Sequence, residues 1–352
     1  MSLPSLPRVD DADRRAWTEP TAELVAPGIH RIPLPLPQDG LRAVNVYAIE
    51  DGDRLTLIDG GWAIPAATET FAASLDLIGH GIADIDRFLV THVHRDHYTN
   101  ACATRCLNGA HIGLGSPEKT NLDWMHEAMA SPAPIPIPEI TALRQAGAAQ
   151  LAKVLSAMDR PNFVAADWAA PDAWLADRSS IEITGRTVEA IHTPGHTRGH
   201  FVYRDAVAGV LFAGDHVLPH ITPSIGCEPV RVASPLRDYL ASLSLIREMP
   251  DTLLLPAHGP ATASVHERVD QLLHHHAERL DLTLTALAHG ATTAHDVAHQ
   301  LLWTSRGTRL ADMDLFNAML AVLETAAHLD VLVERQLATV TEDEGVRHYV
   351  AA

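Results

Sequence analysis

Histidine and aspartate side chains stand where short apolar segments of this chain end. The apolar segment 86–92 runs into the sequence THVHRDHYTN, which carries His92, His94, Asp96 and His97 within six residues. His92 and His94 are two residues apart, so on extended backbone they share one face. Asp96 and His97 follow at the start of a predicted helix. A strand-to-helix turn brings all four side chains together, and imidazole and carboxylate groups suit zinc, manganese or iron.

Three later segments end in the same way. His196 follows a predicted strand and the turn at 194–195, Asp215 ends the strand GVLFAGD, and His258 follows the strand DTLLLPAH. Ligands at the ends of several strands are what a site at the edge of a sheet requires. The two groups together supply five histidines and two aspartates, whereas one tetrahedral ion uses at most four protein ligands. The surplus indicates two metal ions that share a bridging group.

This pattern resembles the metallo-β-lactamase superfamily of binuclear hydrolases, over residues 28–262. The family's H-x-H-x-D-H motif stands here as HVHRDH at 92–97. Its remaining motif residues occur in the family's order, and they are Asp59, His196, Asp215 and His258. The resemblance implies an α/β fold, an αββα sandwich with the metal ions at one edge of its paired sheets.

The resemblance also implies a role for each motif residue. The ligands that it assigns to the first ion are His92, His94 and His196. Those that it assigns to the second ion are Asp96, His97 and His258. Asp215 bridges the two ions, Asp59 orients a ligand imidazole through its second N–H, and Asp96 also handles the reacting proton. We therefore expect two divalent ions, zinc in the first place, with iron and manganese as alternatives that the same ligands accept.

The expected chemistry is hydrolysis by a hydroxide that bridges the metal ions. Two ions about 3.5–4 Å apart lower the pKa of a shared water towards neutrality, so that it attacks a carbonyl carbon or a phosphorus. We predict a small-molecule ester, thioester or lactone as substrate. The alternatives are an RNA endonuclease of the same superfamily, a lactam or glyoxalase II-like hydrolase, and a non-catalytic scaffold, although a decayed site should have lost ligands.

The charge balance excludes some partners. Lys and Arg number 26 against 44 Asp and Glu, a formal net charge of −18. A nucleic-acid binder needs a basic face, and anionic membranes attract basic segments, so we expect neither partner. The N-terminal sequence has no apolar core of signal-peptide length, no apolar run approaches about 18 residues, and three cysteines make no disulfide framework. We therefore expect a cytoplasmic protein with a small-molecule substrate.

The chain divides into an N-terminal arm over 1–27, a catalytic domain over 28–262 and a C-terminal unit. The segment IHRIPLPLP predicts an edge strand, because proline cannot donate to a sheet. Within the catalytic domain, 117–178 is rich in Trp, Met and Pro and is longer than a minimal version of the fold needs. Two interpretations stay open, an insertion that packs against the body and a cap that forms an apolar pocket over the metal edge.

Residues 263–352 turn helical, and three predicted helices followed by a terminal hairpin resemble a winged-helix domain. The third helix and the hairpin are acidic, so packing or a homodimer contact is favoured over nucleic-acid binding. Three consecutive histidines, 274–276, lie on the first of these helices. Neighbouring side chains on a helix point roughly 100° apart, so the three cannot all face one ion, and the sequence favours solvent or a partner as their surroundings.

Overall fold

Two β-sheets packed face to face form the centre of the molecule. The computed structural model of the chain describes residues 16–37, 40–131, 137–158, 163–304 and 307–352. Within these residues, helices cover the outer face of each sheet. One hydrophobic cluster lies between the two sheets, and one lies between each sheet and its helices. This is the layered α/β arrangement, with two mixed sheets and C-terminal helices, that the sequence predicts.

The first sheet has seven strands, in which sequence order is also spatial order. The strands are β1 (Glu23–Ala26), β2 (Ile29–Pro35), β3 (Ala43–Asp51), β4 (Arg54–Ile58), β5 (Ile85–Val90), β6 (His111–Gly115) and β7 (Ala173–Leu175). The first four pair antiparallel, and β4 to β7 pair parallel. Parallel neighbours need crossover connections, and helices provide them here.

The second sheet has five strands, in the spatial order β12-β11-β10-β9-β8. They are β8 (Ser179–Ile183), β9 (Arg186–His192), β10 (Phe201–Asp205), β11 (Val210–Gly214) and β12 (Leu253–Pro256). Only β11 and β12 pair parallel. Between the sheets, the rings of Tyr47 and Phe212 meet edge to face at 5.3 Å in an interior from which water is excluded. The carboxyl ends of the parallel pairs β4–β5 and β11–β12 point to the edge where the motif residues stand.

Nine α-helices lie among the described residues. They are α1 (Pro65–Leu77), α2 (Arg95–Asn108), α3 (Lys119–Ala130), α4 (Pro138–Gln145), α5 (Ala149–Ser156), α6 (Pro235–Glu248), α7 (Val265–Ala288), α8 (Ala294–Gln300) and α9 (Leu315–Glu334). Helices α1 to α3 pack on the first sheet, and α4 to α9 form the layer on the second sheet. The C-terminal helices therefore share one core with the catalytic fold.

Strand β2 lies inside the sheet, although its prolines predict an edge. It pairs with β3 along its whole length, including Pro33 and Pro35. Its pairing with β1 reaches only from Ile29 to Arg31. The half of β2 that carries the prolines therefore has no second neighbour, which is the condition under which a sheet tolerates proline.

The predicted N-terminal arm contributes to the first sheet. Residues 1–15 lie outside the described residues, whereas Glu23–Ala26 forms β1. Arg31 joins the two segments, since its guanidinium donates to the Glu23 carboxylate at 2.6 Å and to the carbonyl of Trp17 at 2.9 Å. The sheet thus begins before residue 28, where the sequence places the start of the catalytic domain.

The segment 117–178 packs in two places. Leu122, Met125 and Trp168 join the core beneath the first sheet. Helices α4 and α5 instead pack among the C-terminal helices, and strand β7 extends the first sheet. The described part therefore fits the packing interpretation, while a cap over the metal edge stays a prediction. Most of the proline run, 132–136, lies outside the described residues.

The C-terminal unit has the predicted order of three helices and a hairpin, β15 (Ala338–Asp343) with β16 (Val346–Ala351). A two-stranded pair, β13 (Leu302–Trp303) with β14 (Thr308–Arg309), precedes α9. A winged-helix domain stays a prediction for this unit.

Helix α9 is long and apolar enough to cross a membrane, although the sequence led us to expect no such run. In this fold 61% of its most apolar 18-residue window is buried, as in the core helix of a globular protein.

Candidate metal centre

The turn between β5 and α2 presents the motif histidines. His94 is the residue before the first turn of α2, with extended backbone (φ −80°, ψ 154°), and its side chain does not cap the helix. Its imidazole is therefore free to face the sheet edge. Asp96 and His97 lie in the first helical turn. The local sequence thus changes from strand to helix within the motif, as predicted, and this change aims its side chains at one place.

The first group of side chains has the spacing of a metal site. The Nε2 atom of His196 lies 3.2 Å from His92 Nε2, 3.1 Å from His94 Nδ1 and 3.4 Å from Asp215 Oδ2. Ligand atoms around a tetrahedral zinc ion, with bonds of about 2.1 Å, stand about 3.4 Å apart. The four side chains thus fit one small cation.

The second group stands on the other side of Asp215. Asp215 Oδ1 lies 3.3 Å from His258 Nε2 and 3.6 Å from His97 Nε2, while Asp96 Oδ2 lies 3.5 Å and 3.7 Å from the same two nitrogens. The two carboxylate oxygens of Asp215 therefore face different groups, as a bridging ligand requires. Three of these atoms are buried without a hydrogen-bond partner: His97 Nε2, His258 Nε2 and Asp215 Oδ1.

The remaining nitrogen of each of the five histidines is also held. These contacts are His92 Nδ1 with Thr91 Oγ1 (3.0 Å), His94 Nε2 with the carbonyl of Cys227 (3.2 Å), His97 Nδ1 with Asp59 Oδ2 (2.8 Å), His196 Nδ1 with the carbonyl of Ser224 (2.6 Å) and His258 Nδ1 with the carbonyl of Ala43 (2.7 Å). In a neutral ring, an oxygen that accepts this N–H leaves a lone pair on the nitrogen that faces the group. The sequence predicts only the Asp59 contact, because any residue can offer a carbonyl.

Asp59 is held in a conformation that few residues other than glycine adopt. Its φ is +62°, in the left-handed region that aspartate tolerates better than most side chains. Its carboxylate accepts from the Thr91 N–H at 2.7 Å as well as from His97. The next residue must be glycine, because a Cβ at position 60 would lie 2.6 Å from the backbone nitrogen of Ala101 in α2. The tight contact between this turn and α2 fixes Asp59 beneath His97.

The two groups differ in electrostatics. In the first, burial lowers the pKa of His92 and His94 and lowers that of His196 to about 4, so these imidazoles are neutral. In the second, burial opposes protonation of His97, but the nearby carboxylates of Asp59, Asp96 and Asp215 outweigh it and raise its pKa to about 10. Cation binding at the second group therefore displaces protons.

His200 supports the bridging aspartate. It lies four residues after His196, so the sequence alone allows either a supporting role at the metal centre or simple packing. The backbone N–H of Asp215 donates to His200 Nε2 at 3.1 Å, and the ring stacks on His92 with centroids 5.1 Å apart. His216 and His220 follow Asp215 on the loop that leaves the metal edge, so the sequence makes either one a candidate for substrate contact. His216 is fully buried against Tyr239, and His220 is exposed.

A buried polar network holds the loop that carries His196. Thr197 and Asn121 donate to the carboxylate of Glu118, which is fully buried. Asn121 also donates to the carboxylate of Glu228 at 2.7 Å. The backbone N–H and the Nε of Arg198 both donate to this Glu228 carboxylate at 3.2 Å. These residues are far apart in sequence, and no motif marked them. The network ties the start of α3 to the loops on both sides of the metal centre.

Glu118 should make stability depend on pH. Burial raises its pKa from an ordinary value of 4.5 to about 7, although Thr197 and Asn121 donate to it. A raised folded-state pKa gives a stability contribution that is complete below about pH 4.5 and is lost as pH rises through 7. The Glu118→Gln variant lacks this pH-dependent contribution to the free energy of unfolding. Its free energy of unfolding, relative to wild type, should therefore rise between pH 5 and pH 8.

Urea unfolding of both proteins in the presence of a chelator measures this difference without a contribution from bound metal. Glu69→Gln, at an exposed position of α1, is the matched control and should show no trend. An equal difference between wild type and Glu118→Gln at both pH values would contradict the assignment.

Asp59→Asn should weaken metal binding at the second group. Asparagine keeps the shape and tolerates the positive φ, but it carries no charge to hold the N–H of His97. Loss of such a partner lowers metal affinity about 10- to 100-fold. Competition titration with a chromophoric zinc chelator measures the affinity, and Asp53→Asn, in the exposed β3–β4 turn, is the control. Unchanged affinity in Asp59→Asn would show that His97 does not need this carboxylate.

Comparison with known proteins agrees with this geometry. The Metallo-beta-lactamase superfamily matches residues 39–103 and 109–258. The probable metallo-hydrolase YqjP of Bacillus subtilis is 24% identical over 322 residues, 88% of this chain and 92% of that protein. A beta-lactamase-like protein 2 homolog of Caenorhabditis elegans is 25% identical over 74% of this chain and 71% of its own length.

Two further proteins resemble this chain, one in structure and one in sequence. A metallo-beta-lactamase family protein of Thermus thermophilus superposes with a TM-score of 0.73 at 25% identity, covering 93% of this chain and 99% of that one. The atrochrysone carboxyl ACP thioesterase of Aspergillus fumigatus is 23% identical over 71% of this chain, but over only 46% of its own length. The family match spans more than half of the chain and includes the motif residues from Asp59 to His258. The chain therefore belongs to the metallo-beta-lactamase superfamily and is a metal-dependent hydrolase of that family.

Proposed function

We propose that this protein hydrolyses a small-molecule ester, thioester or lactone with two divalent metal ions, zinc in the first place. The observation that carries the proposal is the position of Asp215. Its Oδ2 faces the nitrogen of His196 at 3.4 Å, and its Oδ1 faces that of His258 at 3.3 Å. One carboxylate between two sets of imidazoles is the ligand arrangement of a two-metal site.

The bound ions would acidify a shared water and polarise the substrate carbonyl. The chain supplies the proton transfers and the alignment. The Asp96 carboxylate is partly exposed, at 14%, and His97 and His258 keep its pKa below the ordinary value against the effect of burial. It is therefore ionised, and we assign to it the transfer of a proton from the attacking water to the leaving alkoxide or thiolate. Water and substrate thus yield one acid and one alcohol or thiol, while Asp59 keeps His97 oriented.

Several features support a small carbonyl substrate over RNA. One relative is a thioesterase by name. The chain has a net charge of −18, and the hairpin of the C-terminal unit presents Glu342, Asp343 and Glu344 at exposed positions. Such a surface repels phosphates. RNA cleavage, lactam hydrolysis and glyoxalase II-like thioester hydrolysis are the other chemistries that this ligand set permits.

A substrate panel tests the reaction class. The zinc-loaded protein is assayed on p-nitrophenyl esters, acyl thioesters, lactones, a chromogenic lactam, a lactoyl-glutathione thioester and single-stranded RNA. We expect turnover on at least one ester, acyl thioester or lactone, and none on RNA. Turnover confined to RNA would overturn the proposal, as would inactivity on the whole panel after loading with zinc, manganese or iron.

Asp215→Ala and His94→Ala should each abolish hydrolysis while the protein stays folded. The first change removes the bridging carboxylate, and the second removes one of the three imidazoles of the first group. Circular dichroism tests the fold, and turnover on the best panel substrate tests the activity. Asp281→Ala and His289→Ala change the same residue types at exposed positions on or next to α7 and should keep full turnover. Full turnover in either site variant would remove that residue from the site.

The surroundings of the protein are a further part of the proposal. We favour a reducing compartment such as the cytoplasm, because Cys102, Cys106 and Cys227 are all free thiols. Oxidising compartments usually pair cysteines in disulfides.

A homodimer through the C-terminal unit also stays a proposal. Sedimentation of the purified chain measures its oligomeric state.

A further inference from the structure

We propose that the chain holds an additional divalent transition-metal ion between α7 and α9, bound by His275, His276 and Glu324. This place is separate from the seven ligands of the metal centre and shares no residue with them. Each of the three side chains offers one ligand atom, and these atoms lie within 4.8 Å of one another. Two imidazoles and a carboxylate are a ligand set of zinc and its neighbours, and a fourth position stays open for water.

The main observation is a lone pair inside the protein. His276 is fully buried, and its Nε2 has no hydrogen-bond partner among the described residues. An unpaired polar atom in the interior costs free energy, so such an atom in a native fold has a reason. A bound cation is one such reason. The open question is whether Nε2 carries a proton.

The neighbouring contacts answer that question. His328 Nδ1 lies 2.8 Å from the backbone carbonyl of Glu324, which can only accept, so this nitrogen carries the proton. Burial keeps both histidines neutral by lowering their pKa. His328 Nε2 is then an acceptor, and it takes the N–H of His276 Nδ1 at 3.2 Å. His276 Nε2 is consequently unprotonated, the state in which imidazole binds a metal ion.

The other two ligands, His275 and Glu324, give the cation a path from solvent and supply a negative charge. His275 and Glu324 are half-buried, whereas His276 is buried, so solvent reaches the site at the first two residues. The carboxylate of Glu324 offsets part of the positive charge of two arginines near His275, which are Arg279 and Arg268. The guanidinium of Arg279 lies 4.0 Å from the ring centre of Trp303 and donates to the carbonyl of Leu302 at 3.0 Å. It is thus held by other partners and leaves Glu324 available.

The three consecutive histidines have different surroundings, which the sequence did not predict. His274 is 67% exposed, and its Nε2 lies 3.3 Å from Glu278 one turn along the helix. His275 is half-buried, and His276 is buried between Tyr239 and His328. The rule that three neighbours on a helix cannot share one ion holds, because only two of them turn towards Glu324.

Counting metal ions tests the site. Wild type, His276→Gln, Glu324→Gln and His274→Gln are dialysed against zinc, and the ions per chain are measured by inductively coupled plasma mass spectrometry. We expect one zinc ion fewer per chain in His276→Gln and in Glu324→Gln than in wild type. His274→Gln, at the exposed neighbour, should match wild type. All three variants should keep hydrolytic turnover, because none of the changed residues belongs to the metal centre.

Two additions make the result decisive. The Glu324→Gln change is at a half-buried position, so it reports on the site even if His276→Gln fails to fold. The same comparison in an Asp215→Ala background separates this ion from those of the metal centre, because the loss of one ion on Glu324→Gln should persist there. An unchanged zinc count in Glu324→Gln, in either background, would overturn the proposal and leave a buried water as the partner of His276.

Discussion

The fold depends on holding together side chains that repel one another. In the first group, His196 Nε2 stands 3.1–3.2 Å from the nitrogens of His92 and His94. In the second group, two carboxylates, Asp96 and Asp215, lie next to the imidazoles. Without a cation this arrangement is unfavourable in a buried place, because each lone pair has lost water and gained no donor. The rest of the structure must therefore fix every ligand from behind, and the five contacts to the second nitrogens do so.

Those contacts come from distant parts of the chain, which explains why two complete sheets are needed. Asp59 follows β4, the carbonyl of Ala43 begins β3, and the carbonyls of Ser224 and Cys227 lie in the segment before α6. Asn45 adds a further link, since its amide donates to the carbonyls of residues 256 and 259 on both sides of His258. The second sheet and its loops are thus locked to the first at the metal edge.

The sequence predicted the parts of this site that depend on local geometry. The motif at 92–97 and the three strand-terminal residues were found from their residue types at the ends of predicted strands, whereas Asp59 was assigned by the family resemblance. The carbonyl contacts carry no residue signature, and the Glu118 network joins residues about a hundred positions apart. The Trp- and Met-rich segment was ambiguous for a related reason, since apolar side chains suit a core and a pocket equally well, and here Met125 and Trp168 lie in the core.

Local charge sets the metal centre apart from the rest of this acidic protein. Asp59, Asp96 and Asp215 raise the pKa of His97 to about 10 against the effect of burial, so His97 carries a proton when no cation is bound. Asp215 and Asp96 also raise the pKa of His258. Two divalent ions would replace the proton of His97 and bring four positive charges against three carboxylates. A bridging hydroxide would offset the remaining positive charge, so the ions, the three carboxylates and the hydroxide together would be neutral. On the proposed mechanism, the ions would stabilise the negative charge that develops on a substrate oxygen, while the net charge of −18 disfavours large polyanions as partners.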